Sequence, residues 1–288
     1  MALENHVRNP IEWGWDQLRG AGHAVESAGR SVRGRDETTA VPEIRHISIP
    51  DLGEVLRRGL SDFAAYRTDV IFLVLIYPLI GLVLAYATFG HRMLPLLFPL
   101  ASGFALVGPV AAVGLYEMSR RRERGEIVTW ADAFGVVKSP AFGAIVTLGL
   151  MLVAIFALWL AAANVIYSVT LGPEQPESLA AFARDVIGTS AGWTMIVVGI
   201  GVGFLFALLV LMISVVSFPM LIDRDVGIHT AVETSVRAVL ANPVPMLAWG
   251  LIVAASLVLG SLPLFLGLIF VIPMLGHATW HLYRRVVA

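Results

Sequence analysis

His277 and His281 stand four positions apart, so in a helix both imidazoles leave the same face. Two imidazoles at this spacing can ligate a metal ion, and they need a third or fourth ligand to complete the site. Internal symmetry offers Glu117. The run Pro109…Tyr116…Arg120-Arg121 aligns without a gap on Pro273…Trp280…Arg284-Arg285, which sets Glu117 opposite His281. A metal or haem site at His277, His281 and Glu117 is one reading of this pattern. The plainer reading competes with it. Histidine, tyrosine and tryptophan at a helix end anchor membrane interfaces. Glu117 also stands one turn before Arg120-Arg121-Arg122, within reach of an arginine in its own helix.

Other chemistry-bearing patterns are weaker. Asp223-Arg224-Asp225 has the look of an acidic cation-binding pair, but three residues with no nucleotide-binding fold around them read as helix termination and local ion pairing. His229 and Glu233, also four apart, are explained by capping and solvation. Gly199-Ile200-Gly201-Val202-Gly203 follows no strand, so it is not a phosphate loop; Gly199 and Gly203 fit close helix packing in a bilayer. There is no HExxH, GxSxG or Walker sequence. The 288 residues include no cysteine, which removes disulfides, thiolate metal sites and redox thiols. No catalytic residue and no cofactor follows, and the chain is expected not to be an enzyme.

These residues must be positioned by helices in a membrane. The chain is 57% apolar and 14% charged, against roughly 45–50% and 25% in a soluble domain. Val70–Gly90, Met93–Tyr116, Ser139–Pro173, Val186–Ile222 and Ala238–Tyr283 contain no Asp, Glu, Lys or Arg. About 20 apolar residues cross the hydrocarbon of a bilayer. The first four runs hold one span each, and the last, broken at Ser261-Leu262-Pro263, holds two. The predicted spans are 70–89, 93–117, 141–168, 193–222, 244–262 and 264–283. Of the 20 basic residues, only Arg92 and Arg184 fall in the loops of one side. Basic loops stay cytoplasmic, so six spans with both termini inside satisfy every loop. No acid or base lies near a midplane, which counts against an ion-coupled carrier.

The segment 1–48 is a polar arm. Asn9-Pro10-Ile11-Glu12 reads as a helix start, and Ile11, Trp15, Leu18, Gly22 and Val25 recur at helical spacing. A marginal helix over about 10–32 and a linker follow, with no signal peptide. Three capping boxes then introduce short amphipathic segments: Asp51-x-x-Glu54, Thr129-x-x-Asp132 and Thr230-x-x-Glu233. Their apolar stripes (Leu52, Val55, Leu56, Leu60 and Phe63 in the first; Val232, Val236, Val239 and Leu240 in the third) suit helices lying in the headgroup plane. Ser139-Pro140 and Asn242-Pro243 turn the chain into the bilayer after the second and third; the first lacks a proline. The pattern predicts three units near 49–122, 126–225 and 227–288, each an interfacial helix plus a transmembrane hairpin.

Five strings in the chain are long enough to be specific. They are Arg67-Thr68-Asp69-Val70, Ile76-Tyr77-Pro78-Leu79-Ile80-Gly81, Gly108-Pro109-Val110-Ala111-Ala112-Val113-Gly114-Leu115-Tyr116-Glu117, Asp223-Arg224-Asp225-Val226-Gly227 and Gly276-His277-Ala278-Thr279-Trp280-His281-Leu282-Tyr283-Arg284-Arg285. Over about 44–285 the chain resembles a bacterial integral membrane family, domain of unknown function 2189. The resemblance implies a six-span inner-membrane protein and brings no activity, substrate or site residue.

The expectation is an all-α integral membrane protein with three cytoplasmic interfacial helices. Its function is read as an accessory, assembly or scaffolding component of a membrane complex. The alternative is a transporter or lipid-handling protein around a proline-kinked cavity. Trp13, Trp15, Arg120, Arg121, Arg122 and Trp130 are the residues expected to touch lipid or a partner. That partner is the bilayer itself, another membrane protein or a second copy of this chain, and not nucleic acid.

Overall fold

Long uncharged runs leave the backbone one way to satisfy its hydrogen bonds in hydrocarbon, which is helix. The computed structural model describes residues 42–74, 94–174, 176–263 and 265–288. The arm helix predicted over 10–32, Trp13, Trp15 and most of the first predicted span lie outside them. The described residues form helices α1 (Ile49–Val74), α2 (Leu97–Ala111), α3 (Val113–Glu123), α4 (Phe142–Thr170), α5 (Leu179–Gly188), α6 (Ser190–Ser214), α7 (Ser217–Asp223), α8 (Ile228–Ala241), α9 (Pro243–Ser261) and α10 (Leu268–Val286). A 3-10 segment, Trp130–Lys138, precedes α4. One isolated antiparallel bridge joins Ile44 to Val287.

Three stretches among the described residues are long and apolar enough to cross a membrane: Phe142–Thr170, Ser190–Asp223 and Pro243–Ser261. α4 rises about 43 Å at 1.5 Å per residue, more than the hydrocarbon needs. α6 is exposed nearly all round, with Val197, Phe204 and Leu205 facing out; in a bilayer that surface meets lipid. The second predicted span appears as α2 and α3, interrupted at Ala112.

The amphipathic segments differ from expectation in three ways, each with a local cause. The first is not a separate helix. α1 runs unbroken from Ile49 to Val74, because no proline or glycine interrupts it near Arg67-Thr68-Asp69. Its cap also lies three residues earlier: the Ser48 amide and hydroxyl both donate to the Asp51 carboxylate, at 2.8 and 2.7 Å. Glu54 instead accepts from Arg57 and Arg58. The second segment is 3-10 rather than α. Its box does form, with Asp132 accepting from the Thr129 amide at 2.8 Å. In the third, α8 starts at Ile228 with Gly227 as cap, so Thr230 lies inside the helix. There the small residues Thr230, Ala231, Thr234, Ser235 and Ala238 are buried, while Leu240 is exposed. Small residues let α8 approach the α6–α7 junction closely, where Ser235 Oγ accepts from the Val216 amide and Ser217 Oγ donates to the Ala231 carbonyl.

Both prolines stand at helix starts. The 3-10 segment ends at Lys138 and α4 begins just past Pro140; α9 opens on Pro243 itself, where a missing amide costs nothing.

α1 and α10 run antiparallel along one another. Ile44 pairs with Val287, Asp51 with Arg285, and the Phe63 ring meets Phe270 edge-on at 6.1 Å. Gly59 makes this approach possible, since a Cβ there would sit 2.6 Å from the Ala278 nitrogen. Gly276 does the same on the other side of α10, where a Cβ would meet Leu115 at 2.6 Å. The segment before α1 is tied to the C-terminal residues as well. The Arg45 amide donates to Val286, the Ala288 amide to Glu43, and Asn242 bridges Arg45 and Ile47.

Candidate functional site

α10 lies between α1 and α3, and polar side chains from all three meet in the packed interior. On α1, Leu52, Val55, Gly59 and Asp62 share one face at helical spacing. That face is buried against α10, so Asp62 enters the core with it and is 5% exposed. α3 brings Ser119, which is 1% exposed, and α10 brings His277, which is wholly buried.

The geometry is a closed hydrogen-bond network. Ser119 Oγ donates to Asp62 Oδ2 at 2.6 Å and lies 2.8 Å from His277 Nδ1. The serine has one proton, and it goes to the carboxylate. His277 Nδ1 is therefore the donor to Ser119 Oγ, and the bare nitrogen is Nε2. That Nε2 is buried without a hydrogen-bond partner among the described residues. His281 Nε2 lies 2.9 Å from Asp62 Oδ2, and Arg122 Nη1 donates to Oδ1 at 2.5 Å. Burial alone would raise the Asp62 pKa, but hydrogen bonds from His281 and Ser119 outweigh it and hold the carboxyl below its ordinary range. A buried carboxylate is tolerable only when so paired.

A second network closes the same end. Tyr283 donates to Asp223 at 2.8 Å, and Arg224 donates to the tyrosine oxygen at 3.2 Å. Arg284 reaches both Glu123 and Asp223, and Trp280 Nε1 donates to Glu123 at 3.1 Å. Asp223 ends α7, so Asp223-Arg224-Asp225 does terminate a helix. The ion pairs of Asp223, however, reach across the fold to Arg284 and Arg124.

The histidines and Glu117 go different ways. Glu117 accepts from Arg120 at 2.7 and 2.9 Å and from Arg121 at 2.7 Å, all within its own helix. His281 is held by Asp62, and His277 by Ser119. Among the described residues no group of three or more His, Cys, Asp or Glu is arranged to hold a metal ion. The arginine triplet read as a lipid contact is engaged internally: Arg120 with Glu117, Arg121 with Glu117 and Asp132, Arg122 with Asp62. Trp130 opens the 3-10 segment, and its side chain lies outside the described residues. Of the two packing glycines, Gly203 fits the reading, since a Cβ there would meet the Trp159 ring at 3.1 Å. Gly199 does not: a Cβ there would meet nothing within 4 Å.

Asp62 and Ser119 escaped the sequence reading. The available signal was a carboxylate standing on the apolar face of an amphipathic helix, four residues after Arg58 and three after Gly59.

Residues 97–223 match a family described as "Predicted integral membrane protein (DUF2189)". That stretch runs from the start of α2 to the end of α7 and contains Ser119 and Arg122. No curated protein matches the chain. No solved structure matches it either.

Proposed function

We propose that the chain is a non-enzymatic component of a bacterial inner-membrane complex, an accessory, assembly or scaffolding subunit. In this reading it crosses the membrane six times with both termini in the cytoplasm. The observation that carries it is the sealed state of the polar cluster. Ser119, with an acid and an imidazole beside it, has the residue types of a hydrolytic site, yet it is 1% exposed. A nucleophile needs access to substrate. Here the serine proton is spent on Asp62, and the groups tie three helices together.

The transporter reading draws less support. Pro219 and Pro273 are buried in packed contacts, where they shape helices rather than line a path. Extraction of the full chain in mild detergent, followed by crosslinking and mass analysis, tests the proposal. The expected result is a defined assembly containing other chains or further copies. A strictly solitary particle at native expression would contradict it.

A further inference from the structure

An open apolar groove of about 360 Å³ lies on the lateral face between α4, the α2–α3 junction and the 3-10 segment. Phe142, Val146 and Val153 of α4 form one wall, Val110 and Val113 another, and Val137 of the 3-10 segment lines it as well. From position 142 to position 153 the groove follows α4 for about 16 Å at 1.5 Å per residue. One leaflet of hydrocarbon is about 15 Å deep, half of the roughly 30 Å core. The groove thus has the length and polarity of a single acyl chain, and it starts where the chain turns at Ser139-Pro140.

A positive charge stands next in the chain to the groove's lining residue Val137. Lys138, the only lysine of the chain, follows Val137 directly, is exposed and makes no ion pair among the described residues. α4 begins beside it; Ser139 takes the Ala141 amide on its Oγ and the Phe142 amide on its carbonyl, but the Ala141 side chain caps nothing, so the helix start still adds the positive end of a dipole. The nearby acid, Asp132, is occupied by Arg121 and Thr129.

We infer that this groove binds one anionic glycerophospholipid, with an acyl chain along α4 and the headgroup phosphate at Lys138 and the α4 N-terminus. The site is distinct from the arginine triplet, whose charges are used inside the fold. It stands independently of the scaffolding role.

The test is native mass spectrometry of the full chain released from nanodiscs of equal phosphatidylglycerol and phosphatidylcholine. The wild type should retain one phospholipid and favour phosphatidylglycerol by about fivefold, the effect of one surface lysine near an anionic headgroup. Lys138→Glu should bring the two lipids to parity. Val146→Trp, which fills the groove from its exposed side, should lower retention of both while leaving the helical circular dichroism unchanged. Lys138→Gln, which removes the charge without reversing it, covers the case in which the reversal misfolds. Retention of neither lipid by the wild type, equal retention of both, or a preference untouched by the Lys138 variants would overturn the inference. So would unchanged retention in a folded Val146→Trp.

Discussion

Asp62 and His281 are separated by 219 positions in the chain and by 2.9 Å in space. Asp62 stands on α1 and His281 on α10, and α3 completes the contact through Ser119 and Arg122. A carboxylate, two imidazoles, a hydroxyl and a guanidinium thus join three helices where apolar packing alone would leave their rotation and register loosely set. In this account the polar residues specify how the helices meet.

The closeness of α1 and α10 depends on Gly59. Gly59→Ala puts a methyl group 2.6 Å from the Ala278 backbone, and should cost about 1–3 kcal/mol through forced separation. Gly53 is the control, because a Cβ there meets nothing within 4 Å. Gly53→Ala should raise stability by about 0.5–1 kcal/mol through helix propensity. Unfolding midpoints in detergent for the two variants should move in opposite directions.

Acid should loosen the start of α1 and its ion pair with α10. Hydrogen bonds from the Ser48 hydroxyl and amide, then from Arg285, hold the Asp51 pKa down at about 2, against an ordinary 3.8. A depressed carboxylate contributes stability that is complete above the ordinary value and is lost as pH falls through the folded one. Asp62 is shifted in the same direction and adds to the same loss. The thermal midpoint should therefore fall as pH drops from 3.8 towards 2. Asp51→Asn should flatten that fall. A midpoint that rises with acid, or a slope unaltered in Asp51→Asn, would refute the assignment.

Packing inside the membrane should discriminate two glycines one helical turn apart in the same apolar run. Gly203→Leu drives a side chain into Trp159 and should separate α4 from α6, at about 1–3 kcal/mol. Gly199→Leu should be tolerated within about 0.5 kcal/mol, since that position is open. Heat resistance of the two purified variants decides the matter.

The absence of cysteine makes the topology directly measurable. Single substitutions Lys138→Cys and Arg237→Cys should react with an impermeant maleimide only after the cells are opened. Glu177→Cys, in the loop before α5, should react in intact spheroplasts. Labelling of Lys138→Cys in intact spheroplasts would contradict the proposed orientation.

The membrane character was legible because charge is so costly in hydrocarbon that its absence marks the spans. The turns at Pro140 and Pro243 were legible because proline acts locally. The unbroken α1 was half legible: the missing proline was visible, but a headgroup-plane helix was expected all the same. The Ser48–Asp51 cap was hidden by Asp51, which is itself a good cap residue. The Asp62 cluster was not legible, since one sequence gives no sign of which residue lies opposite across 219 positions. Gly199 and Gly203 could not be told apart, because their difference is made entirely by Trp159 on another helix. The internal ion pairs of the arginine triplet were legible only in part: Glu117 is visible beside it, but Asp62 and Asp132 come from elsewhere.

The central claim is that the buried polar residues bind the helices to one another. A double-mutant cycle on Asp62→Asn and Arg122→Gln, measured by unfolding of the full chain in detergent, tests it most directly. The account predicts a coupling of about 1–3 kcal/mol, with the double variant less impaired than the sum of the singles. Additivity within about 0.5 kcal/mol would contradict it.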